Sequence, residues 1–225
     1  MPWSEWIRTV EVEPSLYAAD FSRLGEQIEV LMRAGCKVFH FDVGDGHFVE
    51  PVTMGPIVLQ SISPLIHRLG GVIDVHLMVE NPTKYFGPFA AAGADSVTFH
   101  YEAASDVPAT IRAAREQELQ VGLAFNPEST PKDVAAVSPG VDFVLCMSIH
   151  PGYSGQQFQE RTYDRVKELR GLLPDHVFIQ VDGGVNAENI KQLYDNGTRL
   201  FVGGASIFGD EDLPRAYRRL VEALA

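Results

Sequence analysis

The stretch FHFDVGDGHF, residues 39–48, brings two histidines and two aspartates close together inside an apolar frame. Residues two apart in an extended chain share a face. His40 and Asp42 therefore point one way, and Phe39 and Phe41 point the other. A further imidazole, His76, ends the run VIDVHLMV with Met78 on its face, and Asp182 ends HVFIQVD. Two imidazoles and two carboxylates meeting at one point would suit one borderline divalent ion: Zn²⁺, Fe²⁺, Mn²⁺ or Co²⁺. The four residues come from three separate runs, so spacing alone leaves two readings open. One is a metal site; the other is a set of core polar groups that satisfy one another.

Glycine supplies a second theme. HPGYSGQQF, DGGVNAEN and GGASIFG follow three successive apolar runs late in the chain. Glycine lets backbone approach an oxyanion closely, and helix N-termini add unpaired N–H groups. One such cluster is weak, because tight turns also use glycine; three in succession point to phosphate. Lys and Arg are scarce in them, which fits binding by backbone amides. His47, His100 and His150 also lie near run ends and read as structural or peripheral groups. Glu50 and Glu102 read as loop polar groups, and Met78, Met147 and Leu123 as apolar packing positions.

These residues need elements to hold them. Residues 10–17, 37–43, 72–79, 95–101, 119–125, 141–149, 176–182 and 199–204 read as strands, being short, β-branched or aromatic, and ended by Gly, Pro, Asn or Asp. Helical patterns lie between them. In DFSRLGEQIEVLMRAG, Phe21, Leu24, Ile28 and Leu31 fall on one face, with Asp20 as N-cap and Gly35 as stop. AENIKQLYDNG repeats this logic between Asn186 and Gly197. RAGCKVFH, AAGADSVTFH and DNGTRLFV share a weak repeat, at roughly 29 residues per unit. Eight strands alternating with helices predict a (β/α)₈ TIM barrel, read as one domain over residues 1–225. Catalytic groups then belong at the C-terminal strand ends.

The chain of 225 residues is 45% hydrophobic and 21% charged, with a net charge of −12. The acidic balance and the lack of a basic run argue against nucleic acid and anionic membranes as partners. The first residues show no charged-then-apolar leader pattern, so a cytoplasmic location is expected. Cys36 and Cys146 read as buried lone thiols rather than a disulfide.

EPSLYAADFSRL, FHFDVGDGHFVEPVTMGP, DVHLMVENP, GLAFNPEST, VLCMSIHPGYSGQQF, IQVDGGVNAENI and VGGASIFG occur in the order seen in one family. On these stretches the chain resembles the ribulose-phosphate 3-epimerase family over nearly its whole length. The resemblance implies a barrel of the ribulose-phosphate-binding type and a metal-dependent epimerase. Its expected reaction interconverts D-ribulose 5-phosphate and D-xylulose 5-phosphate by proton transfer at C3 through a metal-stabilised enediolate. It places metal ligands at His40, Asp42, His76 and Asp182, and the acid/base pair at Asp42 and Asp182. It gives substrate contacts to Ser15 and His76, to the loop Gly152, Tyr153, Ser154 and Gly155, and to Asp182, Gly183, Gly184, Gly204 and Ala205. Met78 and Met147 would cover the site. A homo-oligomer, dimer or hexamer, is implied as well.

Departures from the family pattern bear on the substrate. Gly44 stands where the family usually has methionine, which implies a wider or wetter roof. Ala18 and Ala205 replace serines, and Ser206, one place along, is expected to point elsewhere. His150 and Ser154 also replace commoner residues. An epimerase of another ketose phosphate, such as a 2-ketohexose 6-phosphate, and a non-catalytic sugar-phosphate-binding barrel are the alternatives.

Overall fold

The computed structural model describes residues 10–153 and 155–225. Residues 1–9, the segment without a leader pattern, and Ser154, assigned above to a substrate loop, lie outside the described residues. Eight strands run β1 (Glu11–Pro14), β2 (Val38–Gly44), β3 (Val72–Met78), β4 (Ser96–His100), β5 (Gln120–Phe125), β6 (Phe143–Met147), β7 (Phe178–Asp182) and β8 (Leu200–Gly203). Helices follow in alternation: α1 (Leu24–Arg33), α2 (Pro56–Arg68), α3 (Thr83–Ala91), α4 (Val107–Arg115), α5 (Pro131–Val137), α6 (Thr162–Leu172), α7 (Ile190–Asp195), α8 (Ala205–Phe208) and α9 (Leu213–Glu222).

All ladder pairings are parallel, in the order β1-β8-β7-β6-β5-β4-β3-β2. A single parallel bridge between Ser15 and His40 joins the two ends. The sheet is thus a nearly closed (β/α)₈ barrel, as the strand count predicts. Among the described residues no helix is long and apolar enough to cross a membrane.

Outward residues of the strands form most of the core between sheet and helices. Phe41 is fully buried and meets Phe89 of α3 edge-on, with ring centroids 6.2 Å apart. Inward residues stack in layers drawn from alternate strands, as barrel geometry requires. Val38, Phe143 and Leu200 make a small apolar cluster at the bottom. The layer above is polar. Gln180 Nε2 donates to Glu13 Oε2 at 2.6 Å and to Asp74 Oδ2 at 3.3 Å. Asp74 Oδ1 accepts from the Ser96 and Thr98 hydroxyls at 2.7 and 3.0 Å. Gly122 leaves room for this layer, since a Cβ there would strike Thr98 and Phe143.

Two local expectations need correction or refinement. Asp20 does cap a helical turn, accepting from Ser22 N–H at 3.0 Å, but the turn is a 3₁₀ segment over Phe21–Arg23 that precedes α1. Phe21 therefore does not share the buried face of Leu24, Ile28 and Leu31; it is 49% exposed. The tighter 3₁₀ winding rotates it off the α-helical stripe. Gly35, with φ +102°, stops the helix as expected, and Cys36 and Cys146 are buried free thiols.

Phe41 fills space between sheet and α3 that no neighbour can refill. Phe41→Ala should lower unfolding free energy by about 3–5 kcal/mol, read as a reduced urea midpoint at unchanged slope.

Candidate active site

At the C-terminal mouth of the barrel, β2, β3 and β7 deliver His40, Asp42, His76 and Asp182 to one point. One donor atom from each lies within 4.8 Å of the others. Alternation along β2 aims His40 and Asp42 inward, and the register pairs Asp42 with His76. His76 Nδ1 lies 2.9 Å from Asp42 Oδ1 and 3.8 Å from Asp182 Oδ2. His40 Nε2 lies 3.2 Å from His76 Nδ1, 3.3 Å from Asp42 Oδ1 and 4.0 Å from Asp182 Oδ2. Ser15, at the bridge that closes the barrel, donates its hydroxyl to Asp42 Oδ2 at 2.6 Å. Asp182 is fixed from the strand beside it, because the Ser148 N–H donates to the Asp182 carbonyl at 2.8 Å.

The two carboxylates are driven apart electrostatically. Burial pushes the Asp42 carboxyl up, but the charge and hydrogen bonds of His40 and His76 together outweigh it and hold Asp42 well below the usual range. Burial, then the charge on Asp42, raises Asp182 to about 7. Burial alone would lower His40, yet Asp42 and Asp74 raise it well above an ordinary imidazole. His76 is lowered, first by burial. The barrel therefore holds one ionised and one protonatable carboxyl side by side, both reaching the same cavity.

The four groups fit a divalent ion. Four donors bonded to one centre at about 2.1 Å in tetrahedral array lie about 3.4 Å apart. The measured pairs span 2.9 to 4.0 Å and bracket that spacing. Nitrogen and carboxylate oxygen in equal number are the donors a borderline ion takes. His40 Nδ1 faces the polar layer below, 3.2 Å from Asp74 Oδ2 and 4.0 Å from Glu13 Oε2. Its other nitrogen is thereby left for the cluster.

A cavity of about 720 Å³ opens above the cluster. Ser15, Asp42, Met78, Met147 and Asp182 form its floor and near wall. Gly152, Tyr153 and Gly155 line one side, and Gly183, Gly184, Gly204 and Ala205 the far end. Gly183 and Gly184 have φ of +112° and +65°, and a Cβ on Gly184 would press on Phe158 at 3.0 Å. Only glycine permits this close approach of the β7 loop. His40 and His76 are fully buried behind Asp42 and do not line the cavity.

One sequence expectation changes at this site. The roof beside Gly44 is not open: a Cβ on Gly44 would meet the Pro51 carbonyl at 2.5 Å and Val49 at 2.9 Å. The loop after β2 folds back over it, with Thr53 Oγ1 bonded to Gly44 N–H and to the Asp42 carbonyl. Ser206 is among the residues beside Ala205 that line the cavity, but its hydroxyl oxygen is buried rather than presented to it. Of the three histidines read as structural or peripheral, His100 is structural: it is fully buried and touches His76, and burial lowers it to about 4. His47 and His150 are exposed, as expected. Asp45 holds the loop, accepting from the N–H groups of His47, Phe48 and Glu80. Sequence reasoning passed over Glu13, Asp74 and Gln180. The alternation that found His40 and His76 also reaches Asp74, two residues before His76, and Glu13, two before Ser15.

A parallel eight-stranded barrel with a two-His, two-Asp cluster at its C-terminal mouth and glycine loops beside it defines a barrel enzyme able to hold a metal. The sequence model of the Ribulose-phosphate 3 epimerase family matches residues 11–208. The chain is 35% identical to the ribulose-phosphate 3-epimerase of Bacillus subtilis (strain 168) over 211 residues, covering 92% of this chain and 96% of that protein. It is 38% identical to the ribulose-phosphate 3-epimerase of Escherichia coli (strain K12) over 216 residues, covering 95% and 93%. Among solved structures, 3-hexulose-6-phosphate synthase superposes with a TM-score of 0.74 at 17% identity, covering 96% of this chain and 100% of that one. The likeness shows a shared fold. The chain belongs to the ribulose-phosphate 3-epimerase family and is an epimerase.

Gly44→Met would force the loop over residues 49–53 outward and should cost about 1–3 kcal/mol, read as a lowered thermal midpoint. A second expectation concerns pH. The Asp182 carboxyl is raised in the folded chain, so between the unfolded value of about 4 and the folded value of about 7 the folded state holds the extra proton and loses stability as pH rises. In metal-free protein, the melting advantage of Asp182→Asn over wild type should grow across that window. An advantage that stays flat with pH would refute the assignment.

Proposed function

We propose that the protein interconverts D-ribulose 5-phosphate and D-xylulose 5-phosphate by moving a proton at C3. The observation that carries this reading is the pair Asp42 and Asp182, displaced in opposite directions within one cluster at the cavity floor. Inversion at carbon needs one group to take a proton from one face and another to return a proton to the opposite face. Asp42, ionised, is suited to abstraction, and Asp182, protonated, to delivery. In the reverse direction the roles exchange, because the two titrate as a linked pair. Ser15 steadies Asp42 through its 2.6 Å hydrogen bond and keeps one carboxylate oxygen occupied.

His40, Asp42, His76 and Asp182 would hold one divalent ion of the Zn²⁺, Fe²⁺, Mn²⁺ or Co²⁺ class. When bound, such an ion stabilises the negative charge that develops on the substrate oxygens as the enediolate forms. Met78 and Met147 give the reacting end an apolar cover that sheds water and strengthens local electrostatics. At the far end, the backbone N–H groups of Gly183, Gly184, Gly204 and Ala205 would receive the phosphate, with Gly152, Tyr153 and Gly155 along one side. Binding energy gathered there orients C3 over the carboxylates.

The filled space at Gly44 removes one reason to expect a longer ketose such as a 2-ketohexose 6-phosphate. Two wider readings belong to the same proposal. Val52 and Ile57, on the loop after β2 and the start of α2, are 79% and 80% exposed, which supports a homo-oligomer that covers them. Two buried cysteines that form no disulfide fit a reducing, cytoplasmic setting.

Metal-loaded protein incubated with D-ribulose 5-phosphate in D₂O should place deuterium at C3 of both epimers. Asp42→Asn and Asp182→Asn should each slow this exchange by about 10²-fold or more. Full exchange in either variant would overturn the acid/base roles of the two carboxyls, and faster turnover of a 2-ketohexose 6-phosphate would reassign the substrate.

A further inference from the structure

One array beside the cluster, buried at His76 and His100 and open to solvent at Glu102, takes no part in the chemistry above. His76 sends Nδ1 into the cluster and Nε2 away from it, to within 2.8 Å of His100 Nε2. The two rings stack with centroids 5.0 Å apart and planes at 21°. On the far side of that ring, His100 Nδ1 lies 3.4 Å from Glu102 Oε2. Glu102 Oε1 is anchored in turn by the Asn126 N–H at 2.8 Å and the Ser129 hydroxyl at 2.5 Å. The array runs from β3 through β4 to the loop after β5, and neither His100 nor Glu102 lines the cavity.

Counting protons gives the array a direction. His100 Nδ1 makes no hydrogen bond among the described residues, but a carboxylate only accepts, so the negative charge of Glu102 at 3.4 Å favours the proton on that nitrogen. Neutral His100 then has a bare Nε2, which accepts from His76 Nε2–H. Neutral His76 is left with a bare Nδ1, 2.9 Å from Asp42 Oδ1 and 3.2 Å from His40 Nε2. A lone pair facing a carboxylate at that distance is repulsive until a cation sits between them. The metal-free protein takes the reverse arrangement, in which His76 Nδ1–H donates to Asp42 and holds it low, but this turns the His100 Nδ1 lone pair onto Glu102.

We propose that Glu102 is a positioning residue for the metal: acting through His100, it biases His76 toward the tautomer whose Nδ1 lone pair faces the cluster, and so raises the affinity for the divalent ion. The proposal rests on reading His40, Asp42, His76 and Asp182 as the ligands. Glu102 thereby stores a conflict in the metal-free protein that metal binding relieves. A neighbour that orients a ligating imidazole commonly changes metal affinity by about 10–100-fold.

Glu102→Gln tests this. The glutamine Oε1 can still accept from Asn126 and Ser129, while its NH₂ can donate to His100 Nδ1. The reverse arrangement is then favoured, and His76 Nδ1–H is free to bond Asp42. Chelator competition with Zn²⁺ should show affinity weakened by about 10–100-fold. The thermal midpoint of the metal-free variant should equal or exceed that of wild type, which a merely structural glutamate would not allow. Nitrogen-15 spectra of the Zn²⁺-loaded wild type should place protons on His76 Nε2 and His100 Nδ1 and none on His100 Nε2. This last measurement needs no variant to fold. Unchanged Zn²⁺ affinity in Glu102→Gln, a lowered metal-free midpoint, or a proton on His100 Nε2 would overturn the proposal. Failure of the wild type to bind one Zn²⁺ per chain would instead overturn the ligand reading beneath it, and the relay with it.

Discussion

The mouth of this barrel is organised around Asp42, a carboxylate removed from water and pressed between two imidazoles. A charge buried there is costly unless it is matched by partners. Ser15, His40 and His76 supply the match from three different strands. The Ser15 contact also crosses from the end of β1 to β2, where among the described residues the backbone offers the single Ser15–His40 bridge. One partner of Asp42 therefore also helps to close the barrel seam.

The same burial explains why Asp182 behaves differently. It loses solvation first and then meets the charge already on Asp42. Two like charges within 4.8 Å repel by about 3.5 kcal/mol at an effective dielectric of 20, or roughly two and a half pKa units. Lost solvation is the larger cause of the rise of Asp182 from 3.8 to about 7, and this repulsion adds to it. Two chemically identical carboxyls acquire opposite tasks because one is claimed by histidines and the other is not. A bound cation would draw both downward, so the separation is sharpest before the ion arrives.

Much of this was legible in the chain. All eight strands fall where β-branched and aromatic runs end at turn residues, and period-two alternation puts His40, Asp42 and His76 on the inward face. Phe21 was misplaced because capping by Asp20 signals a helical turn without saying whether it winds as α or 3₁₀. Gly44 was misread because a missing side chain looks like empty space, whereas the loop that fills it lies up to nine residues further on, at Val49, Pro51 and Thr53. The His76–His100 contact joins residues 24 apart on adjacent strands. Spacing cannot report such a contact until the register of β3 against β4 is known.

The polar layer under the site shows what register decides. Glu13, Asp74 and Gln180 sit one step below the cluster on alternate strands, where branched apolar residues ordinarily fill a barrel. Apolar side chains there would pack well but would leave His40 Nδ1 facing a wall with no acceptor. With Asp74 in place, that nitrogen has a carboxylate at 3.2 Å, and Nε2 is committed to the cluster. Burial and Asp74 raise Glu13 well above the usual range, so the layer need not carry two full negative charges. His40 and His76 therefore meet the same requirement by different routes. One is backed directly by a buried carboxylate, and the other is backed through a second imidazole by a carboxylate at the rim. Rim placement leaves Glu102 partly open to solvent and anchored by a loop rather than by the barrel wall. The His76 branch is consequently the more easily disturbed of the two, and any change that moves the loop after β5 reaches the cluster along it.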